Sequence, residues 1–517
     1  MNQQQLASLM NTSAYPERTN AVSCIQTHVS WIFLTDSHAY KIKKPVNFGF
    51  LDFSTTDRRH FFCDEEVRLN RRLSPEMYEA VVAVRETPDG AAFHGSGRII
   101  DYAVRMKRLP EDRILSRMIA EGCAGADEIR QVAEAVARFH IAAPTSPAVA
   151  DYGRTEQIQF NWQENFDQTA PFIGETISRS AFDRIRGWVD SFLDRNRQLF
   201  EDRVVQGFVR ECDGDLHLDN ICLDEGRIQI FDCIEFNERF RCCDTAADMA
   251  FLLMDLDYHG RTDLADAAQK TYCALTGDTG ATKLFTFYRM YRAFVRGKVE
   301  SFQIADSGIS IEQRSSARAR AERYFRLARG YAERERLQRC LIITCGLMGS
   351  GKSTFAARLG FESGIPVVSS DKTRKRLSGH APTDTLHEQF GDGIYTPACT
   401  ERVYAELMKQ AQLQLERGAS AIIDASFIRR TFRKQAAEVA DRLQARLITV
   451  VMECDRVKLV ERLNRRLTQA DSISDGRPEL LDQQAGCFEV PDDSEGMILR
   501  ISAEESTDQF YERLTAC

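Results

Sequence analysis

Gly346–Thr354 reads GLMGSGKST and matches G-x-x-x-x-G-K-[ST] at every fixed position. The apolar run Leu341-Ile-Ile-Thr344 precedes it, and Phe355-Ala-Ala-Arg-Leu359, apolar at helical spacing, follows. Strand, glycine-rich loop and helix are the context this motif requires. Glycine at 346, 349 and 351 lets the backbone turn tightly enough for its N–H groups to converge on phosphate oxygens. The helix start adds the positive end of its dipole. Gly346, Gly349, Ser350, Gly351, Lys352, Ser353 and Thr354 are therefore expected to cradle a nucleoside triphosphate. Lys352 would reach the β- and γ-phosphates, and the Ser353 hydroxyl would ligate Mg²⁺.

Downstream of this loop, Ile365–Ser370 reads as a strand ending at Asp371, and Ala421–Ile423 as one ending at Asp424. Arg446–Met452 is a further strand, and Cys399–Arg417 a helix stopped by Gly418. Strands alternating with helices predict a parallel sheet flanked by helices. In such sheets ligands gather at the carboxyl ends of the strands, beside Asp371 and Asp424. Asp424 suits the Mg²⁺ side of the site. Asp371 and Arg374, one helical turn apart, suit activation of an acceptor hydroxyl and the holding of charge. The competing expectation is that strand-end aspartates cap helices. Arg462 and Arg466 lie four apart on a helix and share a face. They would form a lid over the transferring phosphoryl, where an arginine is typically worth about 10³–10⁵ in rate. An ion-pair helix involving Glu461 explains the same spacing. Residues 375–397, the expected substrate-facing insert, carry no readable code.

Toward the N-terminus, residues 21–35 and 38–43 read as strands around an Asp36-Ser37 turn. Ala39 and Lys41 share one strand face because side chains alternate. In kinase-type folds the small residue makes room for the nucleotide and the lysine meets phosphates. Lys43 and Lys44 are alternatives for that lysine. A helix over Phe61–Leu73 offers Glu66 as the carboxylate that clamps it. Val81–Val84 and Arg98–Met106 read as strands, Leu109-Pro110 as a hinge, and Ile129, Val132, Ala133 and Val136 as the core face of a helix.

Asp213–Asp232, DGDLHLDNICLDEGRIQIFD, is the informative segment of this half. Asp215 and Asn220 stand five apart in D-x-x-x-x-N, the spacing of a kinase catalytic loop. Ile221-Cys-Leu223 and Arg227–Phe231 flank Asp224-Glu-Gly226, a hairpin signature, and Asp232 closes the second strand. Three oxygen-bearing side chains would then converge. Asp215 would orient and deprotonate an acceptor hydroxyl, while Asn220 and Asp232 would hold Mg²⁺.

Gly214-Asp-Leu-His217 with Asn220 and Ile-Phe-Asp232 resembles the aminoglycoside-phosphotransferase-like kinases, whose loop typically reads H-G-D-L-H-x-x-N. Val136-Ala-Arg-Phe-His140 and Asp244–Ala250 resemble further segments of that family. The resemblance implies a protein-kinase-like bilobal fold over about 20–310 and phosphorylation of a small hydroxylated compound. The family's first loop histidine is Asp213 here. In the other half, the P-loop, Ser370-Asp-x-x-Arg374, Ile422-Ile-Asp424-Ala and Arg462-Leu-x-Arg465-Arg466 resemble small P-loop kinases related to polynucleotide kinase, gluconate kinase and zeta-toxin enzymes. Ser474-Asp475 and Gln484 resemble that group's tail.

The expected fold class is α/β and α+β, a kinase-like domain over 1–330 followed by a P-loop domain over 338–517. The first would have a small lobe at about 20–108, a large lobe at 109–310 and an Arg-rich helical connector at 311–337. Tyr324, Leu327, Ala328 and Tyr331 give that connector one apolar stripe. Apolar content of 43% with 28% charged residues is ordinary globular composition. No apolar run reaches the roughly 18 residues of a membrane span, and the start lacks a signal-peptide core. Fifteen cysteines without a regular framework predict reduced cytoplasmic thiols. Cys222, Cys233, Cys242 and Cys243 do not match zinc spacing and read as packing residues. A net charge of −8 argues against broad nucleic-acid binding. The expectation is a bifunctional kinase using ATP and Mg²⁺ on small-molecule hydroxyls. The alternatives are that one half is a nucleotide-binding regulator of the other, or that the C-terminal half phosphorylates nucleic-acid 5′-hydroxyls.

Overall fold

The structure is a computed structural model that describes residues 1–517 except 225, 306–307, 382–391, 468–476, 503–506 and 517, and the side chains of 466–467 and 515–516. Two compact units emerge, Met1–Pro171 with Trp188–Phe302, and Phe172–Gly187 with Gln303–Cys517. The boundary expected at 330–338 falls inside the second of these. The reason is packing at Gly330, on the helix Ile311–Glu333, where an added Cβ would stand 1.8 Å from the Glu362 carbonyl oxygen. The Arg-rich helix is thus docked on the P-loop helix, with Tyr324, Leu327, Ala328 and Tyr331 buried as its stripe predicts.

The first unit opens with a six-stranded antiparallel sheet, β1 (Ser23–Gln26), β2 (Ser30–Leu34), β3 (His38–Lys43), β4 (Tyr78–Thr87), β5 (Gly90–Ala92) and β6 (Ile99–Lys107). The order across it is β1-β2-β3-β6-β4-β5. Residues 21–35, expected as one strand, are two, because Thr27 turns the chain: its N–H donates to the Ser30 carbonyl at 3.0 Å and its hydroxyl accepts the Ser30 N–H at 2.9 Å. The helix Thr56–Asn70 begins ahead of the expected Phe61, where the Thr55 hydroxyl caps it by accepting the Arg58 N–H. Its Cys63 and Val67 pack on Ala39, Tyr78, Val104 and Met106 of the sheet.

The larger lobe is helical around two small strand pairs, β7 (Val209–Glu211) with β10 (Cys242–Asp244), and the predicted hairpin β8 (Ile221–Asp224) with β9 (Arg227–Ile230). Ile129, Val132, Ala133 and Val136 of the helix Ala126–Ala142 are buried as expected. The helix Thr245–Tyr258 is buried along almost its whole length, carrying Asp248, Asp255 and Asp257 into the interior. Buried carboxylates need partners, and two of these three find theirs in the 213–220 loop.

The second unit holds a five-stranded parallel sheet, β11 (Cys340–Cys345), β12 (Val367–Ser369), β13 (Ala421–Asp424), β14 (Arg446–Glu453) and β15 (Met497–Ser502), in the order β12-β13-β11-β14-β15. All six residues of β11 are buried, because helices cover both faces of a parallel sheet. Val403, Leu407 and Phe432 pack on one face, and Phe355, Leu359 and Phe510 on the other. β15 was not anticipated from the sequence.

Candidate active sites

In the first unit the kinase geometry is organised by Lys41. Its Nζ lies 2.9 Å from Glu66 Oε1 and 2.5 Å from Asp232 Oδ1. A strand lysine, a helix carboxylate and the aspartate after the hairpin therefore meet at one ammonium: Glu66 is the carboxylate proposed to clamp Lys41, while the contact of Asp232 with Lys41 was not part of the expectation, which set Asp232 at Mg²⁺. Lys43, on the same strand face, goes to Glu66 Oε2 at 2.6 Å and to Glu235. It is fully buried against the Phe53 ring. Lys44 turns away to the Thr27 carbonyl. Burial alone would lower the Lys41 ammonium, but Asp232, Glu66 and Glu235 outweigh it and hold it well above its usual range. Burial would likewise raise Glu66, yet the two lysines pull it down to about 2. Glu235, pushed up by burial and by Glu66, is the weaker acid of the pair.

Asp232 adopts φ +65°, a conformation rarely taken outside glycine. The Tyr78 hydroxyl holds it there by accepting its N–H at 3.1 Å. The Phe231 N–H donates to the Asn220 carbonyl at 3.0 Å, which joins the hairpin to the loop. The Asn220 amide donates to the Asp215 carboxylate at 3.2 Å and to its carbonyl at 3.1 Å. Burial works to raise Asp215, while His217, 3.5 Å away, and Arg296 and Arg292 hold it below its ordinary value. Asp215 is therefore an ionised carboxylate, able to accept a proton. The Asn220 and Asp232 side chains present hard oxygen donors of the kind Mg²⁺ takes, and Asp232 is 47% exposed, so this pair fits the ion.

Two residues that the sequence reading passed over shape this loop. Asp248 accepts the N–H groups of Asp213 and Gly214 at 3.1 and 2.8 Å, and Asp255 accepts that of Leu218 at 2.9 Å. Their signal was acidic residues seven apart on an otherwise apolar helix. His140, Cys212 and Asp248 are the one cluster of metal-ligand type among the described residues. The His140 ring is already engaged by Tyr272 and Asp248, at 2.9 and 3.1 Å, so the cluster is scaffold. Cys222, Cys233 and Cys242 are buried, and every described cysteine is free.

In the second unit the P-loop follows β11 into the helix Lys352–Ser363. Gly346, Gly349 and Gly351 have φ of +142°, +80° and +92°. A Cβ on Gly346 would stand 2.8 Å from the Met452 carbonyl, and one on Gly349 3.2 Å from Leu463. Lys352 Nζ donates to the Leu347 carbonyl at 2.7 Å and so curls back over the loop. The Ser350 hydroxyl is buried with no hydrogen-bond partner among the described residues. A cradle with converging N–H groups and an unmatched hydroxyl suits a triphosphate.

Asp424 ends β13, paired in register with Ser369 of β12. The P-loop is tied to the residues just beyond it: Gly346 N–H donates to the Ser426 carbonyl at 3.0 Å, and the Thr344 hydroxyl to Ala425 at 2.9 Å. Ser353, exposed, and Asp424 thus supply oxygen donors that suit Mg²⁺. Asp371 falls in the first turn of the helix Ser370–Leu377. Arg374 departs from its expected place. Its guanidinium is buried, donating to the Ile394 carbonyl at 2.8 Å and Thr400 at 3.2 Å and stacking on Tyr395.

The lid helix Arg456–Leu467 leans on Gly349 through Leu459 and Leu463, and Arg462 points back to Cys454 Sγ at 3.6 Å. Arg466 belongs to that helix, but its side chain lies outside the described residues, as do Ser474 and Asp475. Gln484 is close by: its Oε1 accepts the Met348 N–H of the P-loop at 2.7 Å.

The lysine–carboxylate clamp over a D-x-x-x-x-N loop in the first unit and the P-loop on a parallel sheet in the second are two separate sites of kinase type, the first resembling the aminoglycoside-phosphotransferase-like kinases and the second the small P-loop kinases. An AAA domain family model matches residues 341–491. The uncharacterized protein Rv2004c of Mycobacterium tuberculosis (strain ATCC 25618 / H37Rv) is 30% identical over 402 residues, 78% of this chain and 78% of that protein, and the chain belongs to its family. Among solved structures, a choline/ethanolamine kinase family protein from Mesorhizobium loti aligns at 14% identity over 63% of this chain and 99% of its own, with a TM-score of 0.38. A gluconokinase from Sinorhizobium meliloti 1021 aligns at 18% identity over 34% of this chain and 90% of its own, with a TM-score of 0.26.

Proposed function

We propose that the chain is a bifunctional phosphotransferase in which each half moves the γ-phosphoryl group of ATP to a hydroxyl of a small molecule. The observation that carries this reading is the convergence of Glu66 and Asp232 on Lys41, within reach of a loop whose Asn220 grips Asp215. In the N-terminal half Lys41 orients the phosphates, and Asp215 aligns the acceptor hydroxyl and takes its proton as the new O–P bond forms and the bond to the ADP oxygen breaks. In the C-terminal half Lys352 and the P-loop N–H groups hold the triphosphate, Arg462 would have to leave Cys454 to meet charge on the transferring group, and Asp371 is the base. Mg²⁺, when bound by Asn220 and Asp232 or by Ser353 and Asp424, neutralises charge between the phosphates.

A nucleic-acid acceptor is less well supported. The Arg-rich helix Ile311–Glu333 buries its apolar stripe, and Arg318 and Arg329 are paired with Glu175 and Asp508. Free thiols throughout the described residues favour a reducing, cytoplasmic setting. Among the described residues no helix is long and apolar enough to cross a membrane.

The test is ADP release across a panel of hydroxylated compounds with wild type, Asp215→Asn and Lys352→Ala. Two independent kinases require each substitution to silence a different acceptor. If one substitution changes only the rate with the other's acceptor, one half is a regulator and the bifunctional reading fails.

A further inference from the structure

We propose that Asp213 is the positioning residue of the N-terminal loop and that it works as a neutral carboxyl group, in the place where resembling kinases carry a histidine. The inference rests on reading 213–220 as the catalytic loop and adds what holds that loop in register.

Asp213 is 1% exposed and binds through each of its polar groups but one. One carboxyl oxygen accepts the Asp215 N–H at 3.1 Å. Its own N–H donates to Asp248 at 3.1 Å. Its carbonyl accepts the Ile234 N–H and the Cys233 thiol, both at 3.1 Å. A single residue therefore links the main chain of Asp215 to the buried helix 245–258 and to the segment just after Asp232. Moving Asp213 would shift the base and the adjoining hairpin together.

The charges that face this carboxyl are Asp248 from the helix 245–258, Asp215 from the loop and Arg72 from the end of the helix 56–70. Asp248 receives two loop N–H groups and His140, and Arg292 stands 3.9 Å away. Asp213 receives one N–H, and its second oxygen has no hydrogen-bond partner among the described residues. Two carboxyl groups in one buried site do not both ionise, and the proton goes to the one with fewer donors. Burial first, and Asp248 second, push the Asp213 carboxyl well above its usual range, while Asp248 is held below its own. The neutral acid keeps an acceptor oxygen for Asp215 without adding charge beside it. Once ionised, Asp213 would repel Asp248 and Asp215 and loosen the loop, so anchoring weakens as pH rises.

The test is hydrogen–deuterium exchange of the full-length chain, read on peptides covering 213–220 at pH 6 and pH 9 after correction for intrinsic rates. Wild type, Asp213→Asn and Asp213→Ala are compared. Asn keeps the acceptor oxygen and cannot ionise, so it should match wild type at pH 6 and stay protected at pH 9, where wild type exchanges faster. Ala should exchange about tenfold faster at both pH values, the worth of one lost buried hydrogen bond. Equal exchange in Asn and Ala, or a pH response shared by wild type and Asn, overturns the proposal even if Ala fails to fold. Asp215→Asn turnover is a separate readout. Turnover unchanged by Asp215→Asn would remove the kinase reading while leaving the anchoring result intact.

Discussion

Glu362, near the end of the helix that begins at Lys352, makes the stability of the C-terminal unit depend on pH. It is 1% exposed. One oxygen accepts the Thr507 hydroxyl at 2.6 Å, and the Tyr511 phenol stands beside the same carboxyl group. Burial lifts its pKa from the ordinary 4.5 to about 7, against the partial relief of Thr507, Arg326 and Arg329. Below 4.5 the group is protonated in both folded and unfolded chains. As pH rises toward 7 the unfolded chain ionises while the folded one cannot, so stability is lost across that window. At 1.36 kcal/mol for each tenfold step, the loss is about 3 kcal/mol. Glu362→Gln removes the titration. It should exceed wild type by under about 1 kcal/mol at pH 5 and by up to about 3 kcal/mol at pH 8, the latter about 6–12 °C in Tm for a unit of this size. The assay is differential scanning calorimetry at both pH values. Trp31, Trp162 and Trp188, the three tryptophans, all belong to the first unit, so the transition that tryptophan fluorescence does not follow is the C-terminal one. A Tm gap between the two proteins that is the same at pH 5 and pH 8 would refute the reasoning.

Gly349→Ala puts a Cβ at φ +80°, 3.2 Å from Leu463 and 3.3 Å from the Leu459 carbonyl. The strain and the displaced lid helix should weaken ATP binding at the P-loop about tenfold or more, read by calorimetric titration of an Asp232→Asn background. Glu66→Gln removes the carboxylate that two buried lysines share and leaves Lys41 to Asp232 and Lys43 to Glu235, so the cost should lie at or below the low end of the about 3–5 kcal/mol for breaking a buried pair. Because Glu66 sits at about 2 when folded, the ion pairs lend stability above pH 4.5 and lose it on acidification. The urea midpoint by tryptophan fluorescence should therefore fall equally at pH 6 and pH 8. Gly330→Ala drives a Cβ to 1.8 Å from the Glu362 carbonyl, so the calorimetric transition of the C-terminal unit should lose about 1–3 kcal/mol while the fluorescence transition stays put.

Both loops were legible in the sequence because each is a local device. A glycine or an aspartate at fixed spacing states its backbone demand within twenty residues, and GLMGSGKST and D-x-x-x-x-N are of that kind. Lys41 was not separable from Lys43 and Lys44, since the choice depends on Asp232 and Glu235, which arrive from nearly two hundred residues away. Asp248 and Asp255 were hidden for the same reason: what they cap is a loop, not their own helix. β15 was missed because MILRIS is short and broken by Arg500, and only its pairing with β14 makes it a strand.

Arg374 is where a motif and its geometry part, and the difference can be measured. Its spacing from Asp371 and the Ser370-Asp-x-x-Arg374 resemblance set it beside that carboxylate as a group for holding charge. In the structure its guanidinium is 6% exposed and spent on Ile394, Thr400 and Tyr395. These lie at the start of the helix Pro397–Glu416 and in the turn before it, the end of the insert expected to meet the acceptor. An arginine that clamps the acceptor's segment acts on acceptor affinity and leaves the nucleotide alone. Lys cannot reproduce the planar fork or the ring stacking, so Arg374→Lys should raise KM for the acceptor that Lys352→Ala silences, by about tenfold for the lost hydrogen bonds. ATP affinity in direct titration should stay within twofold of wild type, a margin of about 0.4 kcal/mol. A fall in ATP affinity with acceptor KM unchanged would set Arg374 at the phosphates and leave the 394–400 segment without its clamp.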